Sequence, residues 1–189
     1  MTTRVKRLKY VLSLALLWAM TAGATIVPNL SFEEITDHSE LIVSGQITRS
    51  WTDWDSQHRY IWTHYELAVS ARHKGASAAT IIVSEPGGVV GIEGLAVAGA
   101  VGYQPGEHVL IFLQRMPNGY LRTTGWSQGK YDVDAAGRLH AQSAVGSVEL
   151  VDVPGKAAAA TPLRILNGMS VAELHTRIAA RLKSQGRAQ

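Results

Sequence analysis

The segment 125–129 reads GWSQG and matches the G-x-S-x-G pattern of a serine nucleophile elbow. That motif works where a strained turn between a strand and a helix exposes the serine hydroxyl and aims backbone N–H groups at the oxyanion. Residues 130–133 have the pattern of a strand instead of a helix. The acid and the base would have to come from Asp132 or Asp134 and from His140 or His175. A glycine-rich turn explains the segment without catalysis, and Ser127 stays a candidate nucleophile.

The histidines and carboxylates do not have the spacing of metal ligands. No two of the seven histidines form an H-x-x-x-H or H-E-x-x-H pair. The run Asp53-Trp54-Asp55 resembles the start of a calcium loop but lacks the later glycine and the terminal glutamate. The chain has no cysteine, which excludes a thiol nucleophile and thiolate ligands. The sequence therefore predicts neither a metal ion nor a cofactor.

Aromatic residues are concentrated in one short stretch. Trp51, Trp54, Tyr60 and Trp62 lie within twelve residues, with Asp53 between them. A tryptophan ring offers a broad apolar surface and one N–H donor, which suits a sugar ring or a peptide segment. The same side chains could instead cover the end of a sheet as core or rim. The sequence predicts a ligand-binding surface here and leaves the rim interpretation open.

The N-terminus has the three parts of a secretory signal peptide. Four basic residues precede the apolar run VLSLALLWAM at 11–20, and the small residues Ala22 and Ala24 follow at the expected cleavage site. A membrane anchor is the alternative, but it needs about 20 apolar residues. We therefore expect cleavage after Ala24 and no stable membrane anchor afterwards.

Cleavage of the signal peptide changes the net charge of the chain, and the net charge indicates which binding partners to expect. The formal charge of +3 includes four basic residues of the signal peptide, and their removal leaves 14 basic against 15 acidic residues, a net −1. A nearly neutral domain lacks the basic surface with which proteins bind phosphate backbones. No nucleic-acid partner is expected.

The remainder of the chain alternates between strand and turn patterns. A capping box of Ser31 and Glu34 predicts a short helix at 32–39. Period-two alternation and turn residues predict strands at 41–51, 61–72, 80–84, 109–113, 120–124 and 130–133, with another at Leu139. Residues 52–59 are predicted as a polar loop, and the glycine-rich stretch 87–102 has no assignment. This pattern predicts a mainly β protein, a small barrel or sandwich.

A second capping box, Ser170 with Glu173, predicts a C-terminal helix. Its apolar stripe consists of Val171, Leu174, Ile178 and Leu182. Its basic end could contact a membrane surface, but packing against the barrel is favoured because cations stabilise helix C-termini. We therefore divide the chain into a signal peptide (1–24), a barrel domain (25–144), a connector (145–169) and a helix packed on the barrel (170–186).

Three segments stand out between residues 40 and 133: LIVSGQI at 41–47, HKG at 73–75 closing a long tyrosine-bearing strand, and PGEHVLIFL at 105–113. Together they resemble the netrin module, the OB fold of the tissue inhibitors of metalloproteinases. Similar exported, cysteine-free bacterial proteins share the G-x-x-Q-G-K pattern at 125–130. The resemblance implies a small OB-like antiparallel barrel and an exported protease as partner. In the inhibitors an N-terminal cysteine clamps the target's zinc, and this chain has none.

Together these features lead to an expected function. We expect an exported, non-enzymatic binding or assembly module, periplasmic or extracellular, that recognises a protein or a glycan through the loop at 51–62. Two alternatives stay open: an inhibitor or chaperone of an exported protease, and a small serine hydrolase that uses Ser127.

Overall fold

The computed structural model of the chain describes residues 25–142, 148–151 and 165–186. The expected signal peptide, with Ala22 and Ala24 at its cleavage site, lies outside the described residues. In chain order the elements are β1 (Thr25–Pro28), α1 (Phe32–His38), β2 (Leu41–Trp54), β3 (Ile61–Lys74), β4 (Thr80–Pro86), β5 (Gly88–Val90), β6 (Glu93–Leu95), β7 (His108–Arg115), β8 (Leu121–Thr123), a 3-10 turn (Trp126–Gly129), β9 (Lys130–Val133), β10 (Leu139–Ala141), β11 (Val148–Val151) and α2 (Val171–Ser184).

Five strands form a partly closed ring in the order β7–β2–β3–β4–β8, with β8 returning to β7. Neighbouring strands are antiparallel except at the closing seam, where β4 and β8 meet through one parallel pair, Val83 with Leu121. Strands β9 and β10 extend the sheet from β7, and β1 pairs with β11. The prediction of a mainly β fold, an OB-like antiparallel barrel with a short N-terminal and a C-terminal helix, is confirmed.

Strands β2 and β3 form an arm that is longer than the sequence suggested. β2 continues through Trp54 instead of ending at Trp51, and its ladder with β3 reaches Ile61. A compact turn replaces most of the predicted loop because the Asp55 carboxylate accepts the backbone N–H groups of Gln57 and Arg59.

The glycine-rich stretch contains a hairpin, β5–β6, that packs against this arm. The Thr52 hydroxyl donates to the Val89 carbonyl at 2.5 Å. Gly88 has a φ of 132°, and a Cβ there would collide with the side chains of Thr52 and Thr63. Glycine is therefore required for this hairpin to lie against the arm.

The central strand β7 is buried on both faces, as its continuous apolar sequence predicted. Val109, Ile111 and Leu113 point into the barrel, where Tyr65 and Leu67 also lie. The opposite face of β7 packs under the helices, in a second cluster of apolar side chains. That outer cluster includes Phe32, Ile35, Leu110, Phe112, Tyr131, Leu174, Ile178 and Leu182.

Both capping boxes form, and the predicted stripe of the C-terminal helix is buried at Leu174, Ile178 and Leu182. Two parts of the expected connector are also described. Val148–Val151 form β11 beside β1, and Leu166 is fully buried in the outer cluster. α2 is further fixed to α1 because Arg181 donates to the Asp37 carboxylate at 2.6 Å.

The seam between β4 and β8 is bridged by a buried carboxylate. Glu85 Oε1 accepts the Thr123 N–H at 2.8 Å, and Oε2 accepts from Arg122 Nε at 3.1 Å. Burial raises the pKa of Glu85, and the contacts with Thr123 and Arg122 oppose that rise. The Arg122 guanidinium lies over the Trp126 ring at 3.9 Å. The Glu85 side chain thus adds two hydrogen bonds across a seam where the backbones of β4 and β8 pair at only one position.

Candidate functional site

A cleft of about 450 Å³ lies on the outer face of β2, β3 and β4, where the hairpin between β7 and β8 folds over them. Its walls are mainly apolar and aromatic, with a small polar floor. The side chains that shape it are Trp51, His64, Ile82, Ser84, Tyr120 and Leu121. A concave apolar site with a few convergent polar groups is the usual form of a ligand-binding site.

The strand register brings three of these side chains into one row. His64 pairs with Trp51 on one side and with Ser84 on the other. Their neighbours Tyr65 and Val83 point into the barrel. Since successive strand residues face opposite sides of a sheet, Trp51, His64 and Ser84 share the outer face.

The floor of the cleft is a histidine–serine pair. His64 Nδ1 lies 2.8 Å from Ser84 Oγ, and the two side chains are 8% and 2% exposed. Burial lowers the pKa of His64, and the nearby Asp53 carboxylate partly opposes this shift. The imidazole is therefore neutral at neutral pH. The floor offers hydrogen bonds without a formal charge.

Tyr120 forms the far wall because a tight turn precedes it. The Tyr120 carbonyl accepts the Met116 N–H, and Gly119 has a φ of 87°, which glycine adopts at no steric cost. The Tyr120 ring then meets His64 edge-on at 5.4 Å and Trp62 edge-on at 5.1 Å. The predicted Asn118-Gly119 turn thus positions an aromatic residue of the site.

The five predicted ligand-binding residues do not all meet. Trp51 lines the cleft, and Trp62 packs behind Tyr120. Asp53, Trp54 and Tyr60 lie further along the arm. Trp54 stacks on His58 at 4.8 Å, Asp53 Oδ1 accepts the Trp54 N–H, and Tyr60 is 54% exposed.

Of the residues that shape the cleft, only Trp51 was singled out from the sequence; His64, Ser84 and Tyr120, with Ile82 and Leu121, were not. The alternation along β3 already placed His64 on the same face as Trp62. No local signal connected that face to β4 or to the β7–β8 hairpin.

Ser127 lies in the 3-10 turn after β8. Its Oγ is buried and has no hydrogen-bond partner among the described residues. The positive φ angles of the motif belong to its neighbours Gly125, at 67°, and Trp126, at 59°, and not to Ser127. The histidines considered as its base lie against other groups: His140 Nε2 is 2.8 Å from Asp134, and His175 faces His73. The geometry gives Ser127 no general base among these residues.

The GWSQG motif attaches the N-terminal segment to the barrel through hydrogen bonds. Gln128 is fully buried; its Oε1 accepts the Leu30 N–H at 2.9 Å, and its Nε2 donates to the Pro28 carbonyl at 3.0 Å. Gly129 lies so close to the Thr124 carbonyl that a Cβ would overlap it. The hydrogen bonds of Gln128 and the close backbone packing at Gly129 give the motif a structural explanation.

The chain matches no protein-family model and no curated protein. Among the residues that the structure describes, no three His, Cys, Asp or Glu side chains come together as a metal site. Within the same residues, no helix has the length and apolar character needed to span a bilayer.

Proposed function

We propose that this protein is an exported, non-enzymatic binding module, and that it holds an extended segment of a partner polypeptide in the cleft beside β4. The observation that carries the proposal is an open strand edge next to an aromatic cleft. β4 pairs with β8 only at Val83, and no described strand lies beside the Thr80 backbone and the Ile82 N–H on that side.

The register gives the direction of the backbone groups along this edge. Hydrogen bonds join Val69 N–H to the Ala79 carbonyl and Gly87 N–H to the Ile61 carbonyl, so odd-numbered β4 residues point their backbone groups at β3. Thr80 and Ile82 therefore point theirs away from β3. Pro86 is in the same outward phase, where the N–H that proline lacks is not needed.

An added strand satisfies such an edge with main-chain hydrogen bonds, and pockets for alternate side chains give specificity. Here the adjacent cleft presents the apolar surfaces of Trp51, Ile82 and Leu121 and the neutral His64–Ser84 floor. These groups suit a peptide with an uncharged, apolar side chain pointing into the cleft. Sugars use aromatic faces as well, but they do not pair with a strand edge.

The barrel topology also supports a ligand at this place. OB folds use the face of strands two and three together with the loops that join strands one–two and four–five. In this ring those strands are β3 and β4, and the two loops are 55–60 and 116–120. Among partners, the netrin-module resemblance makes exported proteases the first class to test.

Peptides selected from a displayed random linear library are expected to bind the cleft and the β4 edge together. Trp51→Ala should weaken their binding by about tenfold or more, because a buried tryptophan typically contributes about 2 kcal/mol to an interface. Ile82→Pro should weaken it about tenfold, because it removes one outward N–H donor. Isothermal titration calorimetry on the selected peptides measures both effects.

Trp54→Ala is the matched control, since Trp54 lies on the arm away from the cleft. Circular dichroism checks that Ile82→Pro is folded, as expected from the equivalent position of Pro86. Loss of binding in Trp51→Ala but not in Ile82→Pro would contradict strand addition and favour a ligand such as a glycan, which a glycan array tests directly. Loss in Trp54→Ala alone would place binding on the arm and contradict the cleft.

A further inference from the structure

Two histidines that are far apart in sequence meet between the barrel and α2. His73 lies near the end of β3 and is 2% exposed, whereas His175 lies on α2 with an exposed side chain. Their Nδ1 atoms are 3.3 Å apart, and their ring planes are inclined at 61°. The two nitrogens that can act as metal ligands therefore face each other.

We infer that His73 and His175 form a binding site for a divalent transition-metal ion, with zinc as the best match. Zinc in proteins is tetrahedral with Zn–N bonds of about 2.0–2.1 Å, so two nitrogens on one zinc lie about 3.3–3.4 Å apart. The observed separation equals that value. It exceeds the usual range of about 2.7–3.2 Å for hydrogen bonds donated by N–H groups.

The second nitrogen of His73 has the support that metal-binding histidines use. His73 Nε2 lies 3.1 Å from Ser44 Oγ, and Ser44 is itself buried. With a metal on Nδ1, the Nε2–H donates to this hydroxyl, which fixes the ring orientation. The donor set consists of imidazoles, which suit zinc, copper and nickel, whereas calcium and magnesium prefer oxygen ligands.

Two protein ligands leave coordination positions for water or for a side chain of a partner molecule. No third His, Cys, Asp or Glu completes the site within the described part of the chain. The ion would connect α2 to β3, whereas the outer apolar cluster attaches α2 to β2 and β7, and the Arg181–Asp37 pair attaches it to α1. Metal binding would therefore stabilise the attachment of the C-terminal helix.

Zinc chloride titrated into chelator-treated, dialysed protein is expected to bind at one ion per chain by calorimetry. It should also raise the midpoint of thermal unfolding, because a ligand of the folded state stabilises that state. His175→Ala should lower the zinc affinity at least tenfold and abolish the thermal shift. His175 is exposed, so this variant is expected to fold.

His108→Ala is the matched control, because His108 is an exposed histidine on β7. A cobalt(II) titration adds a spectroscopic readout, since His175→Asn should remove the visible absorption that nitrogen ligation gives in the unaltered protein. Unchanged zinc affinity in His175→Ala would place any zinc elsewhere and overturn the inference. Absence of zinc binding to the unaltered protein would reduce the pair to a hydrogen bond and overturn it as well.

Discussion

Glu85→Ala is expected to lower the free energy of unfolding by about 3–5 kcal/mol, because removing one partner of a buried ion pair leaves the other uncompensated. Glu85 is 1% exposed and the Arg122 side chain 14%. The change also leaves the buried Thr123 N–H without its acceptor at the seam of the barrel. Urea denaturation followed by circular dichroism measures the loss.

Two further variants separate charge from packing at this seam. Glu40→Ala is the control: the Glu40–Arg115 pair has a similar N–O distance of 2.8 Å but is solvent-exposed, so a much smaller loss is expected. The double change Glu85→Leu with Arg122→Met should recover much of the stability, because apolar residues often replace a buried pair without cost. Equal losses for Glu85→Ala and Glu40→Ala would contradict the role assigned to Glu85.

Gly129→Ala is expected to lower the free energy of unfolding by about 3 kcal/mol, at the upper end for an overpacked core. A Cβ at this position would overlap the Thr124 carbonyl oxygen and lie 3.3 Å from the Phe112 carbonyl oxygen. Both contacts are with backbone atoms, which cannot rotate away as a side chain does. Thermal and urea denaturation measure the effect.

Ser127→Ala tests whether the same motif has a structural or a catalytic role. The Ser127 hydroxyl is buried without a partner among the described residues, so its removal should be neutral or slightly stabilising, by about 0–1 kcal/mol. Labelling by a fluorophosphonate probe that disappears in Ser127→Ala would show instead that the motif is catalytic.

The elements that the sequence predicted best are those with a local physical cause. Ser31 and Ser170 begin helices because each side chain accepts a backbone N–H three residues later, and the matching glutamates reach back. The alternation from Ile61 onwards identified β3, and the double-faced apolar run of β7 identified a central strand. Period and capping act within a few residues, so a single sequence contains them.

The site was predicted only in part, for a reason that Trp51 and Trp54 illustrate. Both stood out by residue type, but only Trp51 lines the cleft, because β2 continues as a strand and carries Trp54 beyond it. Tyr120 lies at the cleft because the hairpin between β7 and β8 folds over the sheet. Its contact with His64 depends on how the ring closes, which residue type and spacing do not encode locally.

The buried charged residue Lys130 likewise has a position that depends on tertiary structure and not on local sequence. Lys130 follows the glycine-rich motif, yet it is 1% exposed and donates to the Glu107 carboxylate at 2.8 Å inside the barrel. Its place follows from pairing with Ile111 on the inward side of β7. Charged residues are buried only with a partner, and the partner here comes from a distant segment.

By itself the sequence determined the strands of the seven-stranded sheet, the two capped helices, the tight turns and the absence of thiol chemistry, since each follows from local periodicity, side-chain-to-backbone bonding or composition. Only the tertiary structure decided which faces meet. It closed the barrel through Glu85, set Tyr120 over His64 and Ser84, and brought His73 to His175. These contacts arise from burying two apolar faces of one sheet at once, a condition that the whole chain must satisfy together.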